Sequence, residues 1–370
     1  MPGPRAGTTT FMVNRTIMGV PGNRLLALFN WLMQVGYQVL DTVLMALAAT
    51  SLLGLADVRV SEWGQVGVIV LFSAVQSTLP LMGHALITRV LNLLAAPFAV
   101  VFLLLAWLTA DRFDYVSTQP STLSVFLGGV ALIASASGLG WTPNATDLSR
   151  YLPADTKPSR VVAAVALGGA VPQILLMVTG ACVATVTPAA SDPVSGLSGT
   201  YPTWFIVTYL VLLIVQLAAL NGVNCYSSGL TLQAAGLPFN RWQAVLLDTV
   251  VCTVLAAVVT LSGDFYSAVS DFLLFSIVWF APWSAIYVLA HLLRRGDHDL
   301  GHQPRTWTAG LTAQLLGMTA SALWLVTGVW SGWLAHLTDD TDLSVLAGLL
   351  VGGGCYWLLA RRTERTVRTA

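Results

Sequence analysis

Ser135-Ala136-Ser137-Gly138-Leu139-Gly140-Trp141-Thr142-Pro143-Asn144 places glycines, hydroxyls and a proline inside a run that is otherwise apolar from residue 121 to 145. A run of that length can cross the ~30 Å of bilayer hydrocarbon as a helix. Breaking such a helix within the membrane frees backbone N–H and C=O groups, which lipid cannot satisfy. They persist where they line a cavity or meet a ligand. The stretch therefore reads as a broken membrane helix that faces a site, with a kink relieved by neighbouring helices as the plainer alternative.

Outward from this break, apolar runs of spanning length recur at 25–53, 64–82, 86–109, 121–145, 160–186, 202–235, 243–262, 269–293, 309–334 and 342–360. Hydrophobic residues make up 56% of the 370-residue chain and charged residues 9%, a balance that no water-soluble fold of this size accommodates. The fold class is an all-α polytopic membrane protein with about ten transmembrane helices. Only short polar breaks separate the runs. Residues 25–360 thus form one membrane domain, between a cytoplasmic N-terminal segment (1–24) and a basic cytoplasmic tail (361–370).

The loops sort by charge. Arg5, Arg15, Arg24, Arg89, Arg150, Lys157, Arg160, Arg241, Arg294, Arg295, Arg305, Arg361, Arg362, Arg365 and Arg368 fall on the side of the N-terminus, and Arg59 and Arg112 opposite. The opposite loops hold Asp57, Glu62, Asp111, Asp114, Asp192, Asp264, Asp339, Asp340 and Asp342. Both termini are therefore expected in the cytoplasm, with the chain in the cell inner membrane and the tail acting as a same-side anchor. The 17 basic and 17 acidic residues cancel, so net charge points to no nucleic-acid partner.

Cys182, Cys225, Cys252 and Cys355 stand singly in apolar runs, without the C-x-x-C spacing of a metal or redox pair, and read as small core residues. Residues 1–23 lack the apolar core and cleavage site of a secretory signal. His298 and His302 lie four apart in a loop with no further ligands, so neither metal nor cofactor is expected. The absence of a His-Glu-x-x-His motif and of an Asp-rich pair leaves an enzyme without support.

Two further polar features lie in the membrane. Asp41 falls about 16 residues into the first run, near the midplane, with Gln34, Tyr37 and Gln38 on adjacent turns. A carboxylate there costs about 2.5–3.5 kcal/mol on the insertion scale and marks a functional site by default. In the sixth run, Asn221-Gly222-Val223-Asn224-Cys225-Tyr226-Ser227-Ser228-Gly229 puts Asn221 and Asn224 on one helix face. Each amide offers a donor and an acceptor, the pattern that reads the edge of a pyrimidine or purine; hydrogen bonding between helices would use it equally well.

The string Gly140-Trp141-Thr142-Pro143-Asn144-Ala145-Thr146-Asp147-Leu148-Ser149-Arg150-Tyr151-Leu152-Pro153 resembles the W-x-P-x-A-x-D-x-S-R-Y-L-P signature of the nucleobase:cation symporter family of purine and cytosine permeases. The resemblance continues through Asn224-Cys225-Tyr226-Ser227-Ser228-Gly229-Leu230, Asp264-Phe265, Phe272-Leu273, Ala281-Pro282-Trp283 and Arg294-Arg295-Gly296. Near the N-terminus Gly3-Pro4-Arg5-Ala6-Gly7, Arg15, Gly19 and Gly22-Asn23-Arg24 are similar to the segment preceding that family's third helix. The resemblance implies the inverted five-helix-repeat, leucine-transporter-like fold minus its first two helices, with the break at Gly138–Pro143 as the counterpart of the broken sixth helix.

By the same resemblance Gly140 and Trp141 match positions where backbone and indole contact a flat base, and Asn224 matches the amide that reads it. Tyr37 stands where the family usually has Trp, and Asp41 where it has Gln or Asn. Tyr37 can still stack on a ring opposite Trp141. Asp41 when ionised only accepts hydrogen bonds, so it favours a donor-rich heterocycle or carries a coupled proton. Ala218 and Ala219 replace the adjacent hydroxyls of sodium-dependent relatives, which points to H+ rather than Na+. The expectation is a permease for a small planar nitrogen heterocycle (cytosine, a purine or a related nucleobase), bound by Tyr37, Asp41, Gly140, Trp141 and Asn224, with Asp41 as coupling residue. A truncated, non-transporting homologue or accessory membrane subunit is the alternative.

Overall fold

The computed structural model describes residues 2–113, 122–187, 189–263, 265–294, 299–301 and 303–369, without the side chains of residues 2 and 362–369. Asp114, Pro188, Asp264, Arg295, Gly296, His298 and His302, with the side chains of Arg362, Arg365 and Arg368, lie outside the described residues. The helices are α1 (Pro2–Ala6), α2 (Thr10–Leu55), α3 (Glu62–Gln76), α4 (Thr78–Met82), α5 (His84–Ala110), α6 (Leu123–Ile133), α7 (Ala145–Ser149), α8 (Pro158–Val186), α9 (Thr203–Ala234), α10 (Arg241–Ser262), α11 (Phe265–Leu293), α12 (Ala309–Trp324) and α13 (Ser344–Thr369). Among the described residues nine segments are long and apolar enough to cross a membrane, α3 with α4 and α6 with α7 each forming one.

Two boundaries differ from the sequence reading. The helix expected from residue 25 begins at Thr10 and is interrupted at Gly19, whose φ of 71° only glycine adopts without strain. Pro21 has no N–H for the Ile17 carbonyl, and the Val20 N–H leaves the helix for Pro304 O at 2.7 Å. The Thr16 carbonyl, deprived of that N–H, accepts instead from the Arg294 guanidinium at 3.0 Å. Residues before the break join the core: Phe11, Val13, Ile17 and Met18 pack with Trp279, Phe280 and Trp283. Asn14 joins the two sides, accepting from Trp283 Nε1 at 3.1 Å and donating to Asn23 at 3.0 Å.

The second difference is in the run 309–334. Helix α12 stops at Trp324 after 16 residues, a length of about 24 Å. Beyond it Val326 pairs with Ser331 across a turn, closed by Thr327 N–H on Trp330 O at 2.7 Å. Hydropathy registers the Leu, Val and Trp side chains there but not the Thr327-Gly328 and Ser331-Gly332 turn chemistry between them.

The centre of the molecule is the long pairing of α2 with α9, flanked by α10, α11 and α3. On the far side α11, α12 and α13 pack closely because glycines meet Pro282. A β-carbon at Gly317, Gly348 or Gly352 would stand 2.5–3.0 Å from Pro282 atoms or from the facing glycine backbone. Helices α6 and α8 leave most of their apolar side chains exposed, as lipid contact permits.

Candidate functional site

Residues 134–149 build one wall of the site. The chain leaves α6 through a π-helical turn at Ala134–Gly138, in which Leu139 N–H reaches back to Ala134 O at 2.7 Å. It passes through a 3₁₀ turn at Thr142–Asn144 and re-enters α-helix as α7. Pro143 lacks an N–H, and the π turn is wider than an α turn, so ordinary helix cannot continue through either point. The upper end of the wall is tied to α11 by the Ser135 hydroxyl on Leu273 O and to α2 by Tyr37 Oη on Ser135 O at 3.1 Å.

Opposite the break lie one face of α2, with Gln34, Tyr37, Leu40, Asp41 and Leu44, and α9 with Leu220 and Asn224. Val269 and Leu273 of α11 close the end. Together with Ala136, Gly140, Trp141 and Asn144 they enclose a cavity of about 220 Å³. Tyr37, Asp41, Gly140, Trp141 and Asn224, drawn from three separate stretches of sequence, all line it. Asn144 and Gln34 join them without having been singled out as site residues. Their sequence signals were present: Gln34 lies two turns before Asp41 on the same face, and Asn144 ends the break.

The polar groups are arranged in layers. Asn224 Nδ2 approaches Asp41 Oδ2 at 3.5 Å and Asn221 Oδ1 at 3.3 Å. Behind it Asn221 donates to Gln76 Oε1 at 2.8 Å and to Gln38 O at 3.2 Å, and Gln76 donates to Thr42 at 2.9 Å. Asn221 is thus committed to neighbouring helices, the role that membrane asparagines often take, and Asn224 is the amide left at the cavity. Both side-chain polar atoms of Gln34, and Asn144 Oδ1, are buried without a hydrogen-bond partner among the described residues. Unpaired polar atoms at a cavity wall are costly unless something enters to meet them.

Aromatic geometry fixes the shape. The Phe272 ring stands edge-on to Tyr37, centroids 5.3 Å apart, and fits against Gly36, where a β-carbon would lie 2.2 Å from it. Trp141 is 37% exposed. Its ring borders both the cavity and a wider, mainly apolar groove of about 800 Å³ along α7, α8 and α11. Ala218 and Ala219 offer no side-chain oxygen on α9. The described residues contain no group of three or more His, Cys, Asp or Glu placed to hold a metal ion.

At the end of α7, Arg150 donates to the hydroxyls of Tyr151 at 2.9 Å and Tyr226 at 3.0 Å, and those hydroxyls meet at 2.6 Å. His84 stacks on Tyr151 with centroids 4.4 Å apart, while Arg241 lies over the Tyr226 ring and reaches Pro80 O. In the sequence Arg150 and Arg241 register as basic loop residues and Tyr151 and Tyr226 within the signature stretches, while nothing local marks His84.

Comparison with known proteins accounts for this architecture. Over 97% of its length the chain is 23% identical to YxlA of Bacillus subtilis (strain 168), provisionally named a purine-cytosine permease, and it covers 80% of that protein. It is 22% identical to the purine-cytosine permease FCY21 of Saccharomyces cerevisiae over 91% of its length and 68% of the relative's. The fold matches that of Mhp1, a nucleobase-cation-symport-1 family transporter, in a closed conformation with bromovinylhydantoin bound. The TM-score is 0.75 at 16% identity, over 99% of this chain and 81% of that one. The inward-facing conformation of Mhp1 matches with a TM-score of 0.68 at 17% identity, covering 97% and 80%. The family model describing a permease for cytosine/purines, uracil, thiamine and allantoin matches residues 1–306, most of the chain, and the protein belongs to that family of membrane transporters.

Proposed function

We propose that the chain carries a small planar nitrogen heterocycle of the nucleobase class across the cell inner membrane and couples its movement to H+ rather than Na+. The observation that supports this most is the single cavity shared by Tyr37, Asp41, Gly140, Trp141 and Asn224. Its volume of about 220 Å³ lies below that of pockets for drug-sized ligands, which matches one compact ring system. Tyr37 and Trp141 offer aromatic faces to such a ring. Asn224 and Asp41 read its edge, and Gln34 and Asn144 supply the remaining donors and acceptors.

Asp41 is the coupling residue in this reading. Ionised, it accepts two hydrogen bonds from a donor-rich edge; protonated, it donates one. The alanines at positions 218 and 219 support proton over sodium coupling, because a hard cation needs oxygen ligands. The placement of Lys and Arg supports cytoplasmic termini.

Uptake of radiolabelled cytosine, adenine, hypoxanthine and uracil into proteoliposomes tests the reading, with Asn224→Ala and Trp141→Ala as controls. Accumulation driven by an inward proton gradient, and lost in both controls, is expected. Sodium-driven uptake at neutral pH without a proton gradient would refute the coupling, and absence of uptake of every compound would refute the permease reading.

A further inference from the structure

Asp248 lies outside the cavity and has no part in the function so far derived. It is the eighth residue of α10, completely buried, and accepts from Trp31 Nε1 of α2 at 2.7 Å through Oδ1. Oδ2 has no partner in regular hydrogen-bond geometry among the described residues. The side chains of Ser228 and Cys225 from α9 and Gln38 from α2 also turn donors toward the carboxyl, outside the regular geometry that the indole meets. One well-formed indole hydrogen bond and three looser neutral donors, with no cation, are a weak shell for an ionised carboxylate held away from water.

Among the described residues no cation answers it. Arg241, two turns back on α10, directs its guanidinium to Pro80 O and over the Tyr226 ring. The titratable groups around Asp248 are Cys225 from α9, Cys252 one turn along α10, and Asp41 of α2 beyond Gln38. Helices α3 and α4 carry no acidic or basic side chain except Glu62, at the first residue of α3. From α11, Tyr266 is engaged by Asp192 and Asp271 by the Gly328 N–H.

The position relates Asp248 to the cavity. Gln38 and Asp41 lie a turn apart on α2, and Cys225 follows Asn224 on α9. Asp41 and Asn224 line the cavity, whereas Asp248 sits behind them. A polar seam connects the two carboxyls: Asp41 to Asn224, Asn224 to Asn221, Asn221 to Thr42, and Thr42 to Cys252 Sγ at 3.5 Å, on the helix that bears Asp248. If Asp248 only anchored the Trp31 indole, an amide oxygen would serve without the burden of a buried charge.

We propose that Asp248 is a second proton-binding site of the transport cycle, at the junction of α2, α9 and α10 behind the substrate cavity. The carboxylate takes up one proton to become the neutral acid, and releases it when the helix pair α2–α9 moves against α10. This inference rests on the permease reading, but proton binding is measurable without any substrate.

Infrared difference spectroscopy of the purified protein, titrated across neutral and acid pH, tests it. Subtracting Asp248→Asn from wild type is expected to leave a protonated-carboxyl C=O band that disappears on alkaline titration. Trp31→Phe, which removes the donor but keeps the carboxyl, is expected to shift that band without abolishing it. Identical carboxyl bands in wild type and Asp248→Asn would overturn the proposal. So would an Asp248→Asn protein that still concentrates labelled nucleobase under a proton gradient as wild type does. The expected transport result is loss of concentrative uptake with equilibrium exchange retained. Failure of the wild type to carry any nucleobase would refute the permease reading, and the infrared band would still decide the proton site.

Discussion

Gly138 and Gly140 lie two residues apart in the same break, but only one has a neighbour where a side chain would go. A β-carbon on Gly140 would fall 2.2 Å from Ser135 O and 2.8 Å from Tyr37 Oη, whereas one on Gly138 meets nothing within 4 Å. Ser135 O is backbone and cannot rotate aside, and it is also the acceptor of the Tyr37 hydroxyl at 3.1 Å. Alanine at 140 must displace the π turn or expel Tyr37 from its hydrogen bond. Overpacking of this kind costs about 1–3 kcal/mol, and loss of the hydrogen bond adds about 0.5–1.5 kcal/mol. Against that stands a gain of up to about 1 kcal/mol from replacing glycine by alanine in helical backbone, a gain Gly138→Ala receives in full. The net expectation for Gly140→Ala is a loss of about 1–3 kcal/mol, or about 5- to 150-fold. Equilibrium binding of the labelled nucleobase to purified protein reads that loss as affinity, and thermal unfolding of the unliganded protein reads any part spent on stability. Equal effects of the two substitutions would refute the close-approach argument and make flexibility of the break the property that matters. A Gly140→Ala protein that binds and melts like wild type would refute it outright.

Asp41→Asn is expected to keep nucleobase binding and equilibrium exchange while losing accumulation driven by a proton gradient; retained accumulation in proteoliposomes would remove Asp41 from coupling. Gly352→Ala places a β-carbon 2.6 Å from Pro282 Cβ at the contact of α13 with α11, so thermal unfolding in detergent should register a destabilisation of about 1–3 kcal/mol. Asp192 lies in the loop before α9. Burial raises its carboxyl, but hydrogen bonds from the Ser195 and Tyr266 hydroxyls and from the Ser195 and Val194 N–H groups outweigh that, and the net shift is below the ordinary carboxylate value. Its contribution to stability is therefore complete above the unfolded carboxyl's titration and is lost as pH falls through the lower folded value. The difference in melting temperature between wild type and Asp192→Asn should stay constant from neutral pH to about 5 and shrink only below about 4; a difference that vanishes near neutrality would contradict this sign.

The membrane class and most of the spans could be read from the chain because each depends on local hydropathy alone. Local hydropathy is also why the start of α2 at Thr10 lies before the apolar run that begins at residue 25. Thr10–Asn23 is too polar for a lipid-facing run, yet its asparagines and threonines are satisfied by distant groups: Trp283, Ala234 O and Arg294. The cavity was traceable because each of its sequence segments carried a local anomaly, a carboxylate at the midplane, an amide pair or a glycine-rich break. Asp248 had the same kind of signal but lay close to the start of its run, where a carboxylate can be taken for one reaching the interface. Its burial depends on Trp31, more than two hundred residues away in sequence, and nothing local predicts that contact.

The two halves of the break are anchored to the same helix, and this ties the cavity to the cluster around Arg150. Its upstream end is held where Ser135 O meets Tyr37 Oη on α2. Its downstream end is held at the first residue of α2, where Thr10 N–H donates to Asp147 Oδ1 at 3.2 Å and the hydroxyls of Thr10 and Thr146 meet at 2.8 Å. Asp147 there sits against the positive end of a helix dipole with an otherwise unsatisfied N–H. Residues 136–144 therefore form a short strap between two fixed points, and they contribute Ala136, Gly140, Trp141 and Asn144 to the cavity. A strap of this length cannot yield to a ligand at Trp141 without loading one of its anchors. The downstream anchor is continuous with Arg150 and Tyr151, which hold the Tyr226 hydroxyl on α9 at 3.0 and 2.6 Å. The contacts that begin at the cavity wall thus continue through α7 to Tyr226 of α9, at the end of the molecule that carries the basic loops.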